Sequence, residues 1–341
     1  MRKSLFVVVA ALASAALLTQ SVAQDKKPTF TAFDAPGAGD GPGQGTAAGS
    51  INTAGVITGI YIGDGGSHGF VRTANGTITS FDPSGSLGTY PQSINTAGAI
   101  AGYYADASDV GHGFVRSASG VITTFDAPNA GAGYPAGTWA YSINAAGAIT
   151  GYYVDANLAR HGFVRAASGA ITSFDCPGTT PQTTPSSINA AGAIAGGCGG
   201  QGFVRAASGA ITTFEAPGAL ALNTFATSIN TAGTVAGVYL DAVGVNHGLV
   251  RAASGAITTF NAPCAGAGYR LGTYAESINE TGDIAGYCPS AASFLRSASG
   301  DIVTFEAPDY GTFAVSINGA AAIAGYFMDS GTPFHGFVRT P

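Results

Sequence analysis

Of the 341 residues, 52 are glycine and only 9% are charged. Glycine costs about 1 kcal/mol inside a helix, so this composition favours short strands and tight turns over a helical fold. With 19 acidic against 13 basic residues and no basic cluster, the chain is a poor partner for nucleic acid or an anionic membrane surface.

The N-terminus has the pattern of a secretory signal. Arg2 and Lys3 precede an apolar run from Leu5 to Leu18, and Ser21-Val22-Ala23 forms a small-x-small cleavage site. The run is too short to span a membrane comfortably. The expected mature chain is therefore 24–341, exported from a bacterial cell to the periplasm or the medium, with no membrane insertion. It carries 11 basic and 19 acidic residues, and Lys26 and Lys27 are its only lysines.

Beyond this segment the chain repeats itself. Ser-Ile-Asn begins at Ser50, Ser93, Ser142, Ser187, Ser228, Ser277 and Ser316, and a period of 39 to 49 residues indicates stacked supersecondary units. Residues 138–175 serve as a template. A strand over 139–144 is turned by Asn-Ala-Ala-Gly147, and a second covers 148–155. A loop leads to a third over 161–165, and a tight Ala-Ala-Ser-Gly169 turn to a fourth over 171–175. Four antiparallel strands per repeat describe the blade of a β-propeller. The seventh repeat lacks a fourth strand, and the segment 29–36, Thr-Phe-Thr-Ala-Phe-Asp-Ala-Pro, matches the missing one. The expected fold is all-β: a seven-bladed β-propeller of four-stranded antiparallel blades, one domain, closed by the N-terminal strand completing the last blade. Ile57, Ile149 and their equivalents should pack between blades with the Phe-Val pairs of the third strands. Turns after strands one and three are short and constant. Loops after strands two and four are variable and share the opposite face, where binding residues usually sit.

The tract from Ser-Ile-Asn through Gly-x-Ile-x-Gly-Tyr to His-Gly-Phe resembles the extracellular His-Ala-Phe repeat family of bacteria, with Gly here in place of Ala. The resemblance covers nearly the whole mature chain. It implies export and a repeat fold, and no activity, cofactor or catalytic residue comes with it.

The histidines occupy one repeat position, and each follows an acid across the second loop: Asp64 and His68, Asp106 and His112, Asp155 and His161, Asp241 and His247, Asp329 and His335. Because each pair belongs to its own repeat, a loop-tying hydrogen bond is expected, not a metal or catalytic centre. Cys198 and Cys288 lie in the two repeats that lack the histidine, and Cys176 and Cys264 follow the fourth strand of the preceding repeat. This placement favours disulfides Cys176–Cys198 and Cys264–Cys288 among the three possible pairings. Seven arginines, among them Arg72 and Arg165, end the third strands and should hydrogen-bond to a neighbouring blade. Acids closing the fourth strands, such as Asp82 and Asp175, should cap the next turn.

A threonine stands four residues before every Ser-Ile-Asn, and an aromatic follows it as Tyr90, Trp139, Phe225, Tyr274 and Phe313. These rings enter the innermost strand from the long-loop side, either to pack between blades or to form a stacking surface for sugar or peptide. Tyr134, Tyr141, Tyr269, Arg270, Glu276 and Tyr310 depart from the repeat and join the candidate face. The expected protein is a monomeric, non-enzymatic module without cofactor or metal that binds a polysaccharide or an extracellular protein. The alternatives are a glycan hydrolase or lyase at the channel mouth, and a purely structural envelope protein.

Overall fold

The computed structural model describes residues 27–178, 182–289, 292–307, 311–329 and 333–341. The expected signal segment, 1–23, and Tyr310 lie outside them. All regular structure among the described residues is β-strand. No helix there is long and apolar enough to cross a membrane.

Each repeat folds as an antiparallel run of strands in chain order. In repeat three the strands are Gly137–Ile143, Ile149–Val154, Arg160–Arg165 and Ile171–Phe174, within two residues of the sequence-based boundaries at every end. Repeats four, five and six form separate four-stranded sheets. Single parallel bridges, Phe334 with Gly45, Ser67 with Gly88 and Gly111 with Gly137, join repeats seven, one, two and three into one sixteen-stranded sheet. The N-terminal strand Thr29–Phe33 pairs antiparallel with Phe334–Thr340, placing Ala32 opposite Phe337 and Phe33 opposite Gly336.

The core lies between repeats. Phe70, Phe114, Phe163, Phe203, Phe294 and Phe337 of the third strands are fully buried, as are Ile57 and Ile149 of the second strands. Around Ile149 and Phe163 of repeat three gather Ala101, Val115 and Phe125 of repeat two. Each buried phenylalanine contributes roughly 2–3 kcal/mol. In six repeats a third-strand phenylalanine meets the fourth-strand phenylalanine of the preceding repeat edge-on, at 5.9 to 6.3 Å between centroids.

The third-strand arginines correct one expectation. Each guanidinium lies over the fourth-strand phenylalanine of the preceding repeat, Arg72 over Phe33 and Arg165 over Phe125 among them, at 4.7 to 5.1 Å. Its hydrogen bond stays local, as in Arg165 Nη1 donating to Ala166 O. The link to the neighbour is therefore cation–π, because the facing surface presents a ring and no acceptor.

Ser-Ile-Asn turns out to be the joint between repeats. Every Asn side-chain amide donates to the backbone carbonyl of the next repeat's Asn, from Asn52 to Asn95 and onward, and Asn318 donates to Asn52, all at 2.8 to 3.2 Å. In the reverse direction each Ile N–H donates to the Ser Oγ of the preceding repeat at 3.2 to 3.3 Å, and Ile51 reaches Ser316. Asn Oδ1 meanwhile accepts from its own turn, as at Ala146 and Ala148. One residue thus satisfies a tight turn and a neighbour together, which explains its presence in every repeat.

Candidate functional site: a cavity lined by bulged strands

Each first strand carries a β-bulge one residue before Ser-Ile-Asn. A bulge adds an unpaired residue and re-aims its side chain. Here the bulged residues are Gly49, Gln92, Tyr141, Ser186, Thr227, Glu276 and Val315, and all seven line one cavity of about 270 Å³ together with the motif serines and Phe225. The glycine opposite on the second strand makes room for the bulge: a Cβ on Gly151 would run into the Trp139 carbonyl oxygen. The residue before the bulge is Ala or Pro and the one after it is always Ser, whereas the bulge holds a different residue in every repeat.

Glu276 is the sole charged member of this set. Protein surrounds it closely, although the cavity leaves it partly accessible, and burial raises its pKa from the ordinary 4.5 to about 7. No hydrogen bond or ion pair to a described residue engages its carboxyl. Across the cavity, burial and the neighbouring Tyr152 and Tyr103 push the Tyr141 hydroxyl well above its usual range.

Aromatic pairs lie on the adjoining stretches of strands one and two. Tyr90 stacks on Tyr103, Trp139 on Tyr152, Tyr274 on Tyr287 and Phe313 on Tyr326, at 4.9 to 5.2 Å. The register explains this, since each pair sits directly opposite across strands one and two. Tyr141 stacks on Tyr152 and meets Tyr103 at a tilt, joining repeats two and three into one aromatic cluster. Tyr287 meets Phe313 edge-on and does the same for repeats six and seven. Burial raises the pKa of Tyr103 to about 12, with Tyr90 and Tyr152 adding to the effect. Desolvation also raises Tyr287 and Tyr326, and the Glu276 charge acts on both.

Of the sequence-derived candidates, Tyr141, Phe225 and Glu276 share the bulge-lined cavity. Phe225, Arg270 and Tyr274 share a second cavity of about 300 Å³ between repeats five and six. There Tyr274 Oη donates to Arg270 O at 2.9 Å and accepts from Asn246 Nδ2 at 2.7 Å. Tyr90, Trp139 and Phe313 belong to the stacked pairs and line neither cavity. Tyr134 and Tyr269 are 72% and 70% exposed on outer loops, and Tyr269 touches only the rim through the Arg270 guanidinium at 5.7 Å. Tyr103, Tyr152, Tyr287 and Tyr326 escaped the sequence analysis because they recur as part of Gly-Tyr. Gln92, Ser186 and Thr227 escaped it because nothing about a bulge is visible in composition. Variation at the residue before each Ser was the available signal.

The histidines tie loops together, with a different first partner from the one expected. His68, His112, His161 and His335 place Nδ1 at 2.7 to 3.0 Å from the acid closing a fourth strand, namely Asp82, Asp126, Asp175 and Asp34, and His247 bonds Asn261. Those acids therefore receive a histidine and do not cap a turn. The loop acids Asp106, Asp155 and Asp241 are second partners, at 3.4, 3.6 and 3.0 Å from Nε2. Their Oδ1 atoms are already held by turn amides, as Asp106 is by Ser108 and Val110. Asp64 instead accepts from Gln44. Gln201, where a histidine is missing, donates to Glu215 in the same way. Each histidine also stacks on a second-strand ring, as His161 does on Tyr153. No cluster of metal-ligating side chains occurs among the described residues.

The repeated threonines serve the same seam. Six accept an N–H from the connection out of the preceding repeat, as Thr138 does from Ala127. Thr89 faces Pro83, which has no N–H, and donates to Asp82 instead.

Cys264 and Cys288 are disulfide-bonded. Cys176 and Cys198 are not: they remain free thiols that meet in one apolar cluster. Burial raises the Cys176 pKa, with the Cys198 thiol beside it adding to the shift.

No family model matches the chain, and no curated protein sequence matches it. Similar solved structures are β-propellers or proteins of like architecture. A catalytically inactive virginiamycin B lyase from Staphylococcus aureus with quinupristin is 13% identical at TM-score 0.63, over 92% of this chain and 100% of that one. The β-propeller domain of the trilobed protease of Pyrococcus furiosus is 9% identical at TM-score 0.57, over 86% and 95%. A lectin from Burkholderia pseudomallei is 8% identical at TM-score 0.53, over 86% and 96%. At such identities the likeness establishes a fold, and that fold is the β-propeller.

Proposed function

We propose that the chain is a closed, seven-bladed β-propeller, exported to the periplasm or the medium, that binds a polysaccharide or an extracellular protein without catalysis. Support for closure comes from the circle of Asn and Ser hydrogen bonds that returns from Asn318 to Asn52 and from Ile51 to Ser316, and from the N-terminal strand in the last sheet. The first strands then surround an axial channel. On the same reading the chain belongs with the exported His-Ala-Phe repeat proteins it resembles, its histidines serving as loop ties. The Cys264–Cys288 disulfide is compatible with export.

One observation carries the binding role: a bulge at the same point of every first strand turns a side chain that differs in all seven repeats into a common cavity. Variable side chains on a repeated frame are the arrangement of a recognition surface. A hydrolase reading has Glu276 in its favour, since a carboxyl with a pKa near 7 suits general acid chemistry. Glycoside hydrolysis also needs a second carboxylate at a defined distance, and the other six bulged residues are uncharged.

A glycan array probed with the wild-type protein, Trp139→Ala and Tyr274→Ala tests the proposal. Signals should fall in both variants while their melting curves stay cooperative. Undiminished signals would place recognition elsewhere.

A further inference from the structure

We propose that the channel accepts the protonated amine of an unacetylated amino-sugar unit, seated on the Glu276 carboxylate among the hydroxyls of the repeated serines. The inference deepens the binding role above and rests on it. A buried carboxylate without a partner is a cost to the fold, because the protein replaces water around the charge and supplies neither donor nor cation in return. Glu276 approaches that position: it lines the cavity, is half-buried, and is engaged by no described donor. Its charge adds to the burial that raises the pKa of Tyr274, Tyr287 and Tyr326 on the adjoining strands. A carboxylate attracts an ammonium by charge and by a charge-assisted hydrogen bond. No basic side chain lines the cavity to supply that cation from within.

The remaining lining selects the source of the amine. Serine hydroxyls of the repeated motif surround the space with Gln92, while Ser186 and Thr227 already donate to backbone carbonyls. A sugar ring can answer these with hydroxyls of its own, while the methylene stem of a lysine would leave them unmatched. A volume of about 270 Å³ admits one ring or one chain end and no folded surface.

The test is calorimetric titration at neutral pH with a glucosamine trimer, its fully N-acetylated counterpart and trilysine, using wild type and Glu276→Gln. The glucosamine trimer should bind the wild type about tenfold or more tightly than the acetylated trimer, and Glu276→Gln should bring the two within about twofold, the scale of one lost charge-assisted contact. Equal binding of the two sugars by the wild type would overturn the assignment, as would a preference that survives in Glu276→Gln. Glu276-dependent binding of trilysine in place of the sugar would assign the amine to a peptide and overturn the sugar. Should the acetylated trimer bind as well and depend on Trp139, the amine site alone fails and the channel reading stands. Absence of binding by either sugar also refutes the amine site, and the array result then decides the channel reading separately.

Discussion

The two ends of the first strands obey opposite rules. At the short-turn end all seven repeats present the same Ile and Asn, and every Asn is bonded to its own turn, its neighbour, or both. Deeper in, at the bulges, the seven repeats present seven different residues, and the acid among them is bonded to nothing described. Repetition in this chain marks bonds between repeats; at the bulges Ser186 and Thr227 still donate to Ala226 O and Ala275 O of the next repeat, whereas Glu276 is left facing the cavity. A side chain that must satisfy a neighbouring copy of itself cannot vary alone. One that faces open space can.

The sharpest way to break the comparison is at the constant end. Asn144→Ala removes an amide that reaches Asn189 O and an acceptor that holds Ala146 and Ala148 N–H. It should cost about 3 kcal/mol and lower the melting temperature without changing any ligand affinity, because buried partners are left unpaired. A change smaller than that of a surface substitution would refute the joint role.

At the variable end the sign reverses. Glu276 is raised from 4.5 to about 7 in the folded state, so between those values the native protein binds more protons than the unfolded chain. Its contribution is most favourable below pH 4.5, declines as pH rises through that window and is flat above it. Glu276→Gln should therefore stabilise the protein at pH 8 by about 2 kcal/mol, and much less at pH 4. Chemical denaturation at the two pH values measures this, and equal effects at both would remove the case for an isolated carboxyl.

Between these extremes stand the arginines. Arg165→Ala loses the contact with the Phe125 ring and should cost about 1 kcal/mol, readable as a denaturant midpoint. Weakest of all, Tyr134→Ser on an exposed loop should leave the melting temperature unchanged, since Tyr134 is not enclosed by the core. A clear loss would mean that the outer loops brace the fold.

How far the sequence alone led differs between fold and site. Strand positions in repeat three, the four-strand unit and the pairing of residues 29–33 with the last strand were all legible, because period-two runs between small turn residues encode them locally. Glu276, Tyr141 and Phe225 were legible as departures from a repeat. The partners of His161 and Arg165 were not, since both reach across a distance that no spacing along the chain expresses. The pairing of cysteines was half legible: Cys264 and Cys288 are joined, whereas Cys176 and Cys198 meet as thiols.

What the amino-acid order determined by itself was the unit, its four strands and its number of copies, because strand and turn preferences act over a few residues. Only the tertiary structure decided that Ser-Ile-Asn is a joint, that arginine stacks on a neighbour's phenylalanine, and that a bulge swings Glu276 and Tyr141 into one cavity. Those outcomes depend on how one repeat lies against the next. That geometry arises from packing among residues roughly forty positions apart, where backbone register and not local preference sets which side chains meet.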